Sequence, residues 1–151
     1  MKNYRVLFFC RKKDFHSEEL IKFLKSKIKF VKVIFSNNHK DKLKLSSIPK
    51  KIDYIFCFRS FYILNNNILN KAKFSINFHP GPPEFRGIGC VNFAILKNSS
   101  FYGITSHLMT DKIDNGKIID VRRFKINQKI GIEKVLSKSY NLQVKQFKFV
   151  V

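Results

Sequence analysis

The sequence has few cysteines and no long apolar run. Its three cysteines, Cys10, Cys57 and Cys90, are far apart, and each lies in or beside an apolar stretch. This spacing indicates neither a disulfide framework nor a zinc site, so we expect reduced thiols in a cytoplasmic protein. No segment approaches the roughly 18 apolar residues of a membrane-spanning helix, and the apolar run near the start is too short for a signal peptide. We therefore expect no membrane span.

Acidic residues are also scarce. The 10 Asp and Glu accompany 30 Lys and Arg, so the formal net charge is +20. A field this positive favours anionic partners, which could be nucleic acid, a nucleotide-linked substrate or a polyglutamylated cofactor. A coding bias that enriches Lys, Ile, Asn and Phe together would give the same surplus. The lysines are scattered, and no repeat of basic and aromatic residues suggests base stacking, so we expect no nucleic-acid partner.

Glycine is missing from one informative place. The turn after the first predicted strand, residues 10–17, contains none. The dinucleotide-binding fingerprint and the phosphate-binding P-loop both need glycines there, because the backbone must turn tightly and approach phosphate. This absence removes the commonest reason to assign an α/β protein to the NAD- or ATP-binding enzymes.

The 151 residues are enough for about one domain with a real core, and a hydrophobic content of 44% excludes general disorder. Predicted strands cover residues 6–10, 31–35, 52–58, 74–78, 101–109 and 118–124. Helices are predicted from a Ser17 cap through Ile28, over 64–71, over 91–97 and from 132 onward, while the apolar end at 147–151 predicts another strand. Alternating long apolar strands and helices predict an α/β fold, a three-layer sandwich with a mostly parallel sheet.

Polar side chains gather at the end of the fourth predicted strand. Asn77 and His79 are two residues apart, so on an extended strand both leave the same face. The carboxyl ends of strands in open α/β sheets are usual ligand sites, although His79 could equally satisfy backbone groups in the proline-rich loop that follows. Asp111 and Asp114 are typical turn formers. Asp114 could instead face His79, which spacing cannot decide, and the segment 58–64 could line an aromatic pocket or begin a core helix.

Four blocks of residues, taken together, resemble the formyltransferase family, whose formyl donor is N10-formyltetrahydrofolate. The blocks are Asn77-Phe78-His79-Pro80, Phe85-Arg86-Gly87, Gly103-Ile104-Thr105-Ser106-His107 and Ile113-Asp114-Asn115-Gly116-Lys117-Ile118-Ile119. The match is close over about residues 52–124 and loose before that. It implies a Rossmann-like formyltransferase fold, with a catalytic core over 1–130 and a C-terminal helix and possible strand over 131–151 that is shorter than in the family.

The resemblance also implies the site residues. Asn77, His79 and Asp114 match the family's catalytic group, and His107 matches a position that is not usually catalytic, so we interpret it as structural. The residues that match the folate-binding region are Tyr62, Ile63, Leu64, Arg86, Thr110, Asp111, Lys112 and Ile113. No metal is implied. Asn77 and protonated His79 would stabilise negative charge on the formyl oxygen, and Asp114 would orient His79 and accept a proton.

Departures from the family pattern narrow the acceptor. The loop Pro80-Gly81-Pro82-Pro83-Glu84 is similar to that of sugar N-formyltransferases, which formylate amino groups of nucleotide-linked deoxyamino sugars. Such an enzyme would bind folate and a sugar nucleotide, and a homodimer is possible. Two alternatives stay open: a shortened, non-catalytic binding subunit with the same fold, and a methionyl-tRNA-type formyltransferase domain.

Overall fold

The computed structural model describes residues 1–127 and 129–151. Six strands form one sheet. In chain order the elements are β1 Lys2–Arg11, α1 Phe15–Lys27, β2 Ile28–Ser36, a 3-10 turn Leu45–Ser47, β3 Ile52–Phe58, α2 Asn66–Leu69, β4 Ala72–His79, α3 Cys90–Leu96, β5 Phe101–Leu108, β6 Ile118–Lys125 and α4 Ile132–Val150. The strand order across the sheet is β2-β1-β3-β4-β5-β6.

The sheet is parallel over its first four strands and antiparallel over the last two. β1 lies between β2 and β3, and β3 pairs with β4, all in parallel. β5 then runs antiparallel to β4 over four residue pairs, 76–79 with 105–108, and β6 runs antiparallel to β5. The β5–β6 hairpin therefore extends a parallel sheet along one edge, and the expectation of a mostly parallel sheet is confirmed.

Both faces of the sheet are covered. Along β1, Val6, Phe8 and Cys10 point into a core with residues of α1 and α4. The alternate residues Leu7 and Phe9 point into a second core with α2 and the segment before β3. All five are 3% exposed or less, as expected for a strand buried on both faces. This arrangement confirms the three-layer sandwich.

The end of the chain differs from the expectation. Residues 147–151 were expected to add a strand, but α4 continues as one helix to Val150. Phe147 is fully buried, whereas Phe149 is 73% exposed. The ring of Phe147 packs against four rings of the sheet, those of Phe8, Phe56, Phe58 and Phe78. The chain forms a helix here and not a strand because a helix buries Phe147 together with Val144 on one side.

Smaller corrections concern the first two helices. Asp14, not Ser17, caps α1, because its carboxylate accepts the Ser17 N–H at 2.9 Å. Ile28 is not helical and begins β2, and α2 is a single turn within the predicted 64–71. Over the described residues, no helix is long and apolar enough to cross a membrane. The carboxyl ends of β1, β3 and β4 lie side by side, and the polar residues gather at this edge.

Candidate active site

The antiparallel junction of β4 and β5 brings the first polar residues together. Asn77 on β4 is paired with His107 on β5, and His79 with Thr105. Asn77 and His79 leave the same face of β4, as their spacing predicts. His79 and His107 are buried, at 5% and 3% exposure. The junction therefore carries two imidazoles and an amide within a few ångströms.

The Asp114 carboxylate, from the loop between β5 and β6, lies at the centre of this group. Its Oδ1 accepts from Asn77 Nδ2 at 3.0 Å and lies 3.4 Å from His107 Nε2. Its Oδ2 lies 3.1 Å from His79 Nδ1 and accepts the Gly87 N–H at 3.0 Å. A carboxylate offers about four acceptor positions, and here four donor groups converge on it. The structure thus brings Asn77, His79 and Asp114 together.

The surroundings keep Asp114 ionised. Burial alone would raise the pKa of its carboxyl, but the hydrogen bond to His107, the charge of His79 and the Gly87 N–H together hold the pKa below its ordinary value of 3.8. The backbone of Asp114 has a φ of 49°, which is left-handed. Asp tolerates this region better than most residues, and the hydrogen bonds from Asn77 and Gly87 together with the two imidazole contacts keep it there. Asp114 is therefore a fixed, negatively charged acceptor.

His79 lies between two acceptors. Its Nδ1 faces Asp114, and its Nε2 is 3.0 Å from the Phe85 carbonyl oxygen. Because a carboxylate and a carbonyl both only accept, the ring satisfies both when each nitrogen carries a hydrogen, as in the imidazolium form. Gly81 makes room for this contact, since an added Cβ would lie 2.5 Å from His79 Nε2 and 2.8 Å from Phe85 O. The loop after β4 is therefore shaped around the His79 ring.

Side chains of β5 hold that loop in place. The Tyr102 hydroxyl donates to the Pro80 carbonyl at 2.9 Å, and the Thr105 hydroxyl donates to the Gly81 carbonyl at 2.8 Å. Arg86 was expected near the folate, but it is exposed and donates to Asn115 Oδ1 at 2.7 Å. It does not line the main cavity. In this structure Arg86 links the loop after β4 to the Asp114 loop.

A cavity of about 450 Å³ opens beside the polar group, within the size range of small-molecule sites. Asn77, His79 and Asp114 form part of its wall. Seven of the eight residues expected to bind folate also line it: Tyr62, Ile63, Leu64, Thr110, Asp111, Lys112 and Ile113. Leu64 is buried, whereas Ile63 and Ile113 are 75% and 59% exposed. The cavity therefore combines exposed apolar side chains with the largely buried polar group of Asn77, His79 and Asp114, which suits a flat heterocycle that carries a reactive group.

Some residues of this site were missed in the sequence. His107 was interpreted as structural, which stays a prediction; its Nε2 lies 3.4 Å from the same carboxylate oxygen that Asn77 bonds, and its Nδ1 lies 2.9 Å from the Leu108 carbonyl oxygen. Its place follows from the antiparallel pairing of β4 and β5, which an expectation of parallel strands does not suggest. Arg11, Arg59 and Tyr140 also line the cavity. The position of the two arginines at the carboxyl ends of β1 and β3 was the available signal.

The model of the formyl transferase family matches residues 5–150, nearly the whole described chain. The chain belongs to the formyl transferase family. It is 32% identical over 133 residues to the bifunctional polymyxin resistance protein ArnA of Wigglesworthia glossinidia brevipalpis, covering 83% of this chain and 20% of that protein. The match confirms the family that the four sequence blocks predict.

Solved structures share the fold of this formyl transferase. One is the N-formyltransferase of Helicobacter canadensis, solved with folinic acid and dTDP-3-aminofucose, with a TM-score of 0.76, 23% identity, and coverage of 95% of this chain and 61% of that one. Another is the phosphoribosylglycinamide formyltransferase of Bacillus halodurans, with a TM-score of 0.77, 19% identity, and coverage of 95% and 91%. The chain thus spans less than two thirds of the ArnA and Helicobacter proteins.

Proposed function

We propose that this chain transfers a formyl group from N10-formyltetrahydrofolate to the amine of a nucleotide-linked deoxyamino sugar. The observation that carries the proposal is the polar group of Asn77, His79 and Asp114 in the wall of a cavity of about 450 Å³. In the reaction, the amine nitrogen bonds to the formyl carbon and the bond from that carbon to N10 of the folate breaks. One proton leaves the acceptor nitrogen and one is gained by N10, so atoms and charge balance.

The residues of the chain would stabilise the charge that develops on the formyl oxygen. His79 offers an N–H at Nε2, which the Phe85 carbonyl accepts at 3.0 Å in the free protein. The formyl oxygen would replace this carbonyl as the acceptor. Asn77 Nδ2 donates one hydrogen to Asp114. The same nitrogen lies 3.3 Å from His107 Nε2. A single positioned donor of this kind can contribute about 3 kcal/mol to the transition state.

Asp114 would orient these donors. Its oxygens are already surrounded by four donors, and its pKa is held below the ordinary value although burial acts to raise it. A carboxylate whose pKa is held below its ordinary value is a weak proton acceptor near neutral pH. The geometry therefore favours a role in fixing the ring of His79 and the amide of Asn77 over direct uptake of the amine proton.

The chain's own residues suit the folate donor. The expected folate-binding side chains from the segment after β3 and from the Asp114 loop face the same cavity, and several are apolar. Such walls would hold the pterin ring and exclude water from the polar group of Asn77, His79 and Asp114. When bound, the folate supplies the activated formyl group. Tyr62, Leu64 and Ile113 would position it next to His79.

Three observations support a sugar nucleotide as acceptor. The loop after β4 reads Pro80-Gly81-Pro82-Pro83, the pattern that resembles the sugar N-formyltransferases, and Gly81 there leaves space for the His79 contact. The Helicobacter protein with the same fold was solved with dTDP-3-aminofucose. The cavity also continues past His79 toward the carboxyl ends of β1 and β3, which leaves room for an acceptor beyond the formyl group.

The test is turnover of N10-formyltetrahydrofolate with a panel of dTDP- and UDP-linked 3- and 4-amino sugars, with phosphoribosylglycinamide and methionyl-tRNA as competing acceptors. We expect formylation of at least one amino sugar and its loss in His79→Ala. The matched control replaces the exposed lysines Lys40, Lys42 and Lys44 by Gln and should retain activity, because exposed charges mainly affect encounter rates.

The other outcomes of this test would favour a different function or contradict formyl transfer. Turnover with methionyl-tRNA alone, lost in the lysine variant, would replace the sugar proposal by the tRNA-type enzyme. Folinic acid binding without turnover of any acceptor would favour the non-catalytic subunit. No binding of folinic acid at millimolar concentration would contradict the formyl-transfer proposal as a whole.

A further inference from the structure

Two arginines form the wall of the cavity away from the Asp114 loop. Arg11 is the last residue of β1, and Arg59 directly follows β3, its neighbour in the sheet. Parallel strands end at the same edge, so both side chains reach the same end of the cavity. Arg59 has a left-handed backbone with a φ of 52°, a conformation uncommon for a residue other than glycine.

The positive charge at this end is not fully compensated. Arg59 Nη1 forms an ion pair with Asp14 Oδ1 at 2.6 Å, and both side chains are 10% exposed. The same carboxylate caps α1 through the Ser17 N–H. Among the described residues no acidic group forms an ion pair with Arg11, and its Nε is buried without a hydrogen-bond partner. A buried polar donor without an acceptor is costly, so this end of the cavity favours an anion.

Aromatic rings fix the orientation of both guanidinium groups. The Arg11 guanidinium lies over the ring of Phe61 at 4.2 Å, and that of Arg59 lies over the ring of Tyr140 at 3.6 Å. Stacking covers a face of each planar group and leaves its N–H edge as the donor side. On Arg59, Nη1 already contacts Asp14 Oδ1 at 2.6 Å and His16 Nδ1 at 3.4 Å, whereas Nε of Arg11 has no hydrogen-bond partner. Burial, followed by repulsion from the charge of Arg59, lowers the pKa of Arg11. An anion bound at this end of the cavity would reduce that repulsion.

We propose that Arg11 and Arg59 bind a phosphoryl group of the acceptor substrate. That this ligand is the acceptor substrate rests on the proposed function, whereas the presence of an anion site rests on the two arginines themselves. Guanidinium edges match phosphate oxygens in a bidentate manner. The arginine side chains would then do what a glycine-rich turn does through backbone N–H groups, and this chain has no glycine at residues 10–17. Tyr140 gives α4 a part in the same subsite.

The experiment measures binding by calorimetry to the full chain. The probes are dTDP and UDP, which carry a diphosphate; ribose 5-phosphate, which carries a monophosphate; and folinic acid, whose glutamyl carboxylates are the other anions available. The variants are Arg11→Gln, Arg11→Lys and the control Arg5→Gln, an exposed arginine on the same strand. We expect Arg11→Gln to weaken binding of a phosphate probe about 10- to 100-fold, as lost charge-assisted bonds do. Folinic acid binding and the control should change less than twofold.

Arg11→Lys keeps the charge without the planar fork, so we expect an intermediate loss. This variant also tests the proposal if Arg11→Gln fails to fold. Preference for the diphosphates would indicate a sugar nucleotide, and preference for ribose 5-phosphate a ribonucleotide. Equal binding of phosphate probes to wild type and Arg11→Gln, no binding to wild type at millimolar concentration, or a selective loss of folinic acid would overturn the proposal. Arg11-dependent binding without turnover of any amino sugar would contradict the proposed function and leave the subsite standing.

Discussion

Replacing Asp114 by Asn tests whether the converging donors orient the reactive groups. Asn also tolerates the left-handed backbone at this position, so the change removes the charge without straining the loop. One carboxylate oxygen becomes an NH₂ group. Whichever way the amide turns, two donors lose their acceptor: either His79 and Gly87, or Asn77 and His107.

Each hydrogen bond to a charged group contributes about 1.5–3 kcal/mol, so the pair amounts to about 3–6 kcal/mol. If that loss falls on the transition state, kcat for formyl transfer drops about 10²- to 10⁴-fold. Single-turnover formylation with the acceptor found in the panel measures it directly. The control Asp53→Asn removes a carboxylate that accepts the Arg5 N–H at the far edge of the sheet, and should keep activity. A folded Asp114→Asn variant with kcat within tenfold of wild type would refute the orienting role.

The same substitution should change the pH dependence of stability. The pKa of Asp114 lies below its ordinary value of 3.8 in the folded state. The ionised carboxyl therefore stabilises the protein fully above that value, and the contribution is lost as the pH falls through the lower, folded-state pKa. Urea unfolding at pH 7 should show wild type to be the more stable protein, and the gap should narrow at pH 3. A stability difference between wild type and Asp114→Asn that is the same at pH 7 and pH 3 would contradict the lowered pKa of Asp114.

Three further changes are predicted. Gly81→Ala puts a methyl group 2.5 Å from the His79 ring and should lower kcat at least tenfold, whereas Gly131→Ala, with nothing within 4 Å among the described residues, should not. Phe147→Ala should cost about 3–5 kcal/mol in urea unfolding, and exposed Phe149→Ala much less. Burial raises the pKa of all three cysteine thiols, so none should react with iodoacetamide at pH 8 until the protein unfolds. Equal losses of kcat in the two glycine variants, or equal losses of stability in the two phenylalanine variants, would count against the packing described. So would rapid alkylation of the native protein.

The fold was predictable where one periodicity dominates. Residues 6–10 form a continuous apolar run, and such a run is typical of a strand buried on both faces. The end of the chain was not predictable in the same way. Phe147 and Phe149 alternate as in a strand, but Val144 and Phe147 also fit one side of a helix, and packing of Phe147 against the sheet decides between them.

The site was predictable only in part from the residues themselves. The shared face of Asn77 and His79 follows from strand geometry. The approach of Asp114 does not, because 37 residues separate it from Asn77 and only the direction of β5 brings them together. The contact of His107 with Asp114 could not be foreseen for the same reason. The resemblance to a family supplied the grouping that spacing could not, and the roles of these residues remain predictions.

The four-pair contact between β4 and β5 makes the reactive group and the attachment of the hairpin a single cooperative unit. Asn77, His79 and His107 all lie on those pairs. If the strands separate transiently there, the ring of His79 and the amide of Asn77 lose their partners on the hairpin at the same moment. A ligand that bridges both sides adds its binding free energy to the cost of that opening. Amide hydrogens of the β5–β6 hairpin should then exchange more slowly with ligand bound. The exchange rate of the hairpin amides therefore reports whether ligand is bound in the cavity.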